Sequence, residues 1–217
     1  PNYADAYINM GVILKEMGDL EAAIKSYKQA LKIKPNYAEA YNNMGIALKD
    51  KGDLEAAIDS YNQAVKINPN YAEAYNNIGN SHKDKGDPES AINSYKKALK
   101  ITPNSSEVYN NMGIALKDKG DLEAAIDSYK KALKITPNYA EVLNNMGVAL
   151  EGQGIQEMAF DCFKKALKIQ PHYSEAHYNM GNNLKDKGNQ KMAIDSFKKA
   201  IKIKPDFVEA YRQLSKL

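Results

Sequence analysis

Residues 38–71 read AEAYNNMGIALKDKGDLEAAIDSYNQAVKINPNY, and this stretch decides how the chain folds. Two helices are written into it. In the first, Tyr41, Met44, Gly45 and Leu48 recur at helical spacing and form an apolar stripe. Asn36 stands ahead of it as a capping residue, with Glu39 three positions on to complete a capping box. Gly52 is placed to end it, because glycine takes the left-handed conformation that closes a helix. Asp53 then caps the second helix, with Glu55 in its favourable first turn. Leu54, Ala57, Ile58, Tyr61, Ala64 and Val65 make its packing face, and it ends near Ile67, ahead of Pro69. Gly45 has no side chain, so a neighbouring helix can approach closely there.

The same spacing runs outward in both directions. Pro1, Pro35, Pro69, Pro103, Pro137, Pro171 and Pro205 are each separated by 34 residues. So are Gly11, Gly45, Gly79, Gly113, Gly147 and Gly181, and likewise Gly18, Gly52, Gly86, Gly120, Gly154 and Gly188. Copies therefore span 4–37, 38–71, 72–105, 106–139, 140–173 and 174–207, and 208–217 is an incomplete one. Only Pro88 and Gly152 stand outside the pattern, and Pro88 follows Asp87 in the first turn of a helix, where proline is tolerated. A helix pair this short cannot bury its stripes alone, so each pair must stack on the next. The expectation is an all-α, right-handed superhelical solenoid of helix-turn-helix repeats, one array over 1–217.

Composition narrows the function. The 217 residues are 43% hydrophobic and 26% charged, which suits a folded chain and not a disordered one. No apolar run is long enough to span a membrane and no leader peptide is visible, so a cytoplasmic protein without membrane contacts is expected. A single cysteine, Cys162, excludes an intramolecular disulfide and any cysteine-based zinc site. Every glycine but Gly152 answers to repeat geometry, no phosphate-binding loop or nucleophile–base constellation stands out, and neither a cofactor, a metal nor an enzymatic activity is expected. Net charge is only +3 and Arg212 is the sole arginine, so nucleic acid is not an expected partner.

Tyr41, Met44-Gly45, Leu48, Ala57, Tyr61, Ala64 and Pro69 match the order aromatic, Leu-Gly, large, Ala, aromatic, Ala, Pro. In this the chain resembles the tetratricopeptide repeat family, over essentially its whole length and in six copies. The resemblance implies that the first helices line a concave groove that binds peptides or other proteins, and that the array is not itself a catalyst.

The opposite face of the first helix is polar and recurs almost unchanged. Its clearest column is Asn9, Asn43, Asn77, Asn111, Asn145 and Asn179, with Asn42, Asn76, Asn110 and Asn144 beside it. Asparagine is a mediocre helix former, so six mid-helix copies require an offset. A carboxamide can pair with both the carbonyl and the amide of a peptide backbone, and a ladder of them could hold an extended chain whatever its side chains. The other reading is that they bond between repeats and fix the array, and the two are compatible. The first column resembles the asparagine ladder in the repeat superhelix of O-linked N-acetylglucosamine transferase, which grips the backbone of protein substrates.

Thirteen carboxylates and five lysines also fall on this face, including Lys49, Lys83 and Lys117 as further peptide-binding candidates, with Glu151 breaking the lysine column. Most of these charges read as solvated pairs, but a groove ligand should be polar and neutral or basic, and a clamp for an acidic peptide terminus is not expected. In the sixth copy Tyr178 and Asn182 replace the usual residues and could contact a ligand side chain. Two further roles stay open. The chain starts at a repeat-ending proline and stops inside a first helix, which suits a substrate-targeting arm cut from a larger glycosyltransferase or sulfotransferase. The partial copy 208–217, with Val208, Tyr211, Leu214 and Leu217 on its apolar face, could stack on a second molecule and make a homo-oligomer.

Overall fold

The computed structural model describes residues 3–217; Pro1, first of the proline series, and Asn2 lie outside the described residues. Among the described residues there are thirteen helices and no strand. The chain forms two compact units, residues 1–111 and 112–217.

In the first unit α1 (Tyr3–Glu16) pairs with α2 (Leu20–Ile33), α3 (Ala38–Asp50) with α4 (Leu54–Ile67), and α5 (Ala72–Asp84) with α6 (Pro88–Ile101). Successive pairs stack through α2 on α3 and α4 on α5, and α1, α3 and α5 also touch in turn. The boundary between the units falls inside α7 (Ser106–Asp118). The second unit contains α8 (Leu122–Ile135), α9 (Ala140–Gly152), α10 (Gln156–Ile169), α11 (Ser174–Asp186), α12 (Gln190–Ile203) and the short α13 (Val208–Leu214). There α9 pairs with α10 and α11 with α12, while α8 on α9, α10 on α11 and α12 on α13 make the stacking contacts. The all-α solenoid of repeated helix pairs is thus observed in each unit.

Helix boundaries follow local chemistry, with one departure. Asp19, Asp53, Asp87 and Asp121 accept a hydrogen bond from the backbone N–H three residues on, at 3.0–3.2 Å. Hydrogen bonds from the Ser90 hydroxyl and from its backbone N–H hold the Asp87 carboxyl below its ordinary value. The glycines that follow the first helices take φ between 77° and 91°, as the sequence requires. Asn36 does not cap the first helix, however. Tyr37 occupies that place in extended conformation, with no side-chain cap bond. The N-terminus of the first helix lies against the preceding repeat, and tertiary packing positions it there. The equivalent Tyr37 hydroxyl instead donates to Asp5 Oδ1 one repeat back, at 2.7 Å, and that carboxylate pushes the phenol up to about 12.

The core of each repeat is an aromatic ring against a glycine. Tyr27, Tyr61, Tyr95, Tyr129, Phe163 and Phe197 are the largest fully buried side chains. Complete burial of such a ring contributes about 1.5–3 kcal/mol. A Cβ added to Gly45 would stand 2.5 Å from Tyr61 Cε1, and the same contact recurs at 2.4–2.6 Å in the other five repeats. Ala40 and Ala47 are fully buried as well, whereas Tyr41, Met44 and Leu48 are only half-buried. The first helix is covered on more than one side, so its stripe of large residues is not its most buried face.

We expect Gly45→Ala to destabilise the protein by about 1–3 kcal/mol through overpacking, although alanine is the better helix former by about 1 kcal/mol. Urea denaturation followed by circular dichroism measures it, and Gly45→Ala with Tyr61→Leu should recover much of the loss.

Candidate functional site

The two asparagine columns, adjacent in sequence, have different surroundings. Asn42 is 0% exposed and Asn110 2% exposed, and Asn76 and Asn144 are also buried. They sit in the seam between repeats. Asn42 Nδ2 donates to Glu73 Oε1 of the next repeat at 3.1 Å, and Asn76 Nδ2 donates to Glu107 Oε1 at 3.2 Å. Their carbonyl oxygens accept from the other column: Asn77 Nδ2 to Asn42 Oδ1 at 3.0 Å, Asn111 Nδ2 to Asn76 Oδ1 at 3.1 Å, and in the second unit Asn179 Nδ2 to Asn144 Oδ1 at 2.9 Å. Burying a carboxamide without partners would cost about 1–3 kcal/mol per group, and this network removes that cost.

The outer column stays at the surface. Asn9 is exposed, and Asn43, Asn77, Asn111, Asn145 and Asn179 are half-buried. One N–H of Asn77, Asn111 and Asn179 is held by the seam, which fixes the carboxamide plane, while no hydrogen bond to their Oδ1 is found among the described residues. Each of the three presents an oriented acceptor and a second N–H. Where the start of α7 meets α5 and the end of α6, Glu73, Asn76, Asn77 and Glu107 border a cavity of about 410 Å³.

The lysine column is tied to carboxylates. Lys49 reaches Asp84 of the next repeat at 3.0 Å, Lys83 lies 3.5 Å from the same Asp84, and Lys117 lies 3.0 Å from Asp118. These lysines neutralise the acidic face locally and keep about a third of their side chains exposed. Tyr178 packs into an aromatic group, 5.9 Å from the Phe197 ring and 5.0 Å from that of Phe207. In the partial repeat Leu214 and Leu217 pack against Leu184 and Phe197, while Val208 and Tyr211 remain exposed. The apolar face of 208–217 is therefore half spent within the chain. Burial raises the pKa of the Cys162 thiol and leaves it unreactive.

Two arrangements were not read from the sequence, and the first turns the Oδ1 of Asn182, expected to contact a ligand, into the interior. Asn80 Oδ1 accepts from the Tyr95 hydroxyl at 2.8 Å. Asn182 holds the same register in the sixth repeat, but Phe197 stands where Tyr95 does, and Asn182 Oδ1 is buried without a partner. The mirror-image mismatch occurs at Tyr27 and Tyr129, whose hydroxyls are buried and unpaired because Val12 and Ile114 occupy the asparagine place. The second site joins Glu151 and Asn183. Asn183 Nδ2 donates to Glu151 Oε1 at 2.9 Å and to the Gln156 carbonyl at 3.1 Å. Burial raises the Glu151 carboxyl above its ordinary value of 4.5, partly offset by that bond. The signal was present as two coincident departures: glutamate for lysine in the fifth repeat, and asparagine for a small residue in the sixth.

Residues 3–210 match the family model described as the cilia and flagella-associated protein 70 C-terminal domain, a tetratricopeptide-repeat model. The chain belongs to the tetratricopeptide-repeat family. Among solved structures it is similar to MamA, at 28% identity over 76% of this chain and 97% of that one, with a TM-score of 0.68. It is similar to YrrB, a tetratricopeptide-repeat protein with an unusual peptide-binding site, at 25% identity over 88% and 98% of the two chains, TM-score 0.68. PilF of Pseudomonas aeruginosa shares the fold at 19% identity over 99% and 97%, TM-score 0.84. Comparison with the curated proteins gives no match. No described helix is long and apolar enough to cross a membrane, and no described cluster of His, Cys, Asp and Glu could hold a metal ion.

Two outcomes are expected. Phe197→Tyr should stabilise the protein by about 1 kcal/mol by giving Asn182 a donor, read from the urea midpoint. Because the folded Glu151 pKa is raised, the unfolded chain loses that proton first. Stability then falls as pH rises from about 4.5 through the folded value. Glu151→Gln, which keeps the acceptor for Asn183, should be more stable than the native chain at pH 7 and should lose that part of the pH dependence.

Proposed function

We propose that this chain is a protein-interaction scaffold whose outer asparagine column holds an extended peptide or protein segment by its backbone. The observation that carries this reading is the anchoring of the outer carboxamides. Asn77 and Asn111 each give one N–H to a buried asparagine and keep an oxygen and an N–H turned out of that bond. An extended backbone offers the complementary donor and acceptor, and side chains fixed before binding lose less entropy when it arrives. The buried column acts as the anchor, while Asn9, Asn43, Asn77, Asn111, Asn145 and Asn179 are the contacts. Asn42, Asn76, Asn110 and Asn144 support them from the seam. Family membership and the peptide site of YrrB favour a protein partner.

The surroundings narrow the partner. Glu73 and Glu107 beside Asn77, with Lys49, Lys83 and Lys117 paired to aspartates, leave a face that favours neutral or basic segments over acidic ones. Lys49, Lys83 and Lys117 would then contribute through their aliphatic stems and residual N–H groups.

A random peptide library displayed on phage and selected on the native protein should enrich neutral or basic sequences without a strict side-chain motif. The double variant Asn77→Ala/Asn111→Ala should bind the enriched peptides at least about tenfold more weakly, with circular dichroism confirming an intact fold. Unchanged affinity in a folded variant would sink the reading and leave the column a purely structural device.

A further inference from the structure

The last helix pair carries a second recessed surface that shares no residue with the asparagine columns. It is an open hollow of about 660 Å³, with Leu167, Pro171 and Ile203 as its apolar wall and Lys199, Lys202, His172 and His177 as its polar one. No carboxylate lines it, and neither Lys199 nor Lys202 has an ion-pair partner among the described residues. His177 is 7% exposed. Its Nε2 donates to the Pro171 carbonyl at 3.0 Å, which leaves Nδ1 buried without a partner.

The same register in the first unit, 102 residues earlier, provides the comparison. There Pro69, Asn70, Tyr75, Lys97, Lys100 and Ile101 line a hollow of about 680 Å³. Tyr75 stands in the place of His177, and Lys97 Nζ lies 5.6 Å from its ring centroid, a cation–π contact that occupies the lysine. With histidine in that place, no such cation–π contact holds Lys199 among the described residues. Replacing Asn70 by His172 adds a further titratable nitrogen at the rim. The sixth repeat thus has two unpaired lysines above an apolar wall where the first-unit hollow has one of its two lysines on a tyrosine ring.

We propose that this hollow is a docking site for an acidic peptide segment in which an apolar side chain neighbours a carboxylate. Charge complementarity selects the anion, because Lys199 and Lys202 are basic side chains with no carboxylate partner among the described residues. The apolar wall selects a peptide over a free ion, because a bare anion would leave Leu167, Pro171 and Ile203 in water. An apolar side chain buries against those three while its neighbouring carboxylate meets the lysines. The preference is opposite in charge to that of the asparagine face, so the array would engage two kinds of segment.

The test uses a fluorescein-labelled peptide, acetyl-Leu-Glu-Leu-Glu-Leu-amide, its glutamine counterpart, and inorganic phosphate as separate probes of the full chain. Anisotropy measures affinity, and the C2–H proton signals of the three histidines report the place. The acidic peptide should bind saturably and shift the His172 and His177 signals but not that of His82. Lys199→Gln/Lys202→Gln should weaken it at least about tenfold. His172→Asn/His177→Tyr, which installs the residues of the first-unit hollow and so preserves packing, should also weaken it, and Asn77→Ala/Asn111→Ala should leave it unchanged. The proposal is overturned if the glutamine peptide binds as well, if phosphate alone saturates the same signals with equal affinity, or if the lysine variant folds and binds normally.

Discussion

Each repeat depends on one contact, the backbone of a first-helix glycine against the edge of an aromatic ring on the second helix. At Gly45 a methyl group would lie 2.5 Å from Tyr61, closer than any carbon tolerates, so the two helices are spaced by the ring itself. That spacing buries the ring completely and brings Ala40, Ala47, Ala57 and Ala64 into the interior. Small residues recur at these places because the helices are too close for larger ones. The hydroxyl on the ring is the weak point of the design: it is paired at Tyr95, unpaired at Tyr27 and Tyr129, and absent at Phe163 and Phe197.

Stacking of one repeat on another rests on a different chemistry. In the first unit the seam contains the buried carboxamides of Asn42 and Asn76, each bonded forward to a glutamate and to the carboxamide of the next repeat. A polar seam restricts how repeats can slide, because any shift leaves buried donors and acceptors unpaired. Where the pattern changes, it changes in pairs. Glu151 and Asn183 face each other across successive repeats, which replaces the lysine–aspartate bridge seen between Lys49 and Asp84. Exposed pairs such as Lys51–Glu21 and Lys187–Glu157 add little by comparison, because their glutamates are largely solvated.

The seam also sets the orientation of surface groups. The same bond that satisfies Asn42 orients Asn77, so the surface carboxamides are held by the interior of the array. The sixth repeat departs from this pattern at His177, where, among the described residues, a buried nitrogen lacks a partner and the neighbouring lysines lack counter-ions. Burial keeps the His177 imidazole below its usual pKa, with Lys199 and His172 adding to the effect, so the ring is a neutral wall of the hollow.

Helix pairs, their period of 34 residues and the close approach of a helix at Gly45 were legible in the sequence, because helical spacing and the conformational needs of glycine and proline are local properties, whereas the Tyr61 ring against Gly45 was not. So were the aspartate caps at Asp19, Asp53, Asp87 and Asp121. The failure of Asn36 to cap was not, since the preceding repeat decides how the chain enters that helix. Nor could the sequence separate Asn42 from Asn43: both are polar, adjacent and repeated, and only about 100° of helical rotation distinguishes them. The next repeat covers one and leaves the other half open. The sequence by itself determined which residues turn and pair. Only the tertiary structure decided which polar groups are enclosed in the seam and which stay at the surface, because burial is conferred by neighbours distant in the chain.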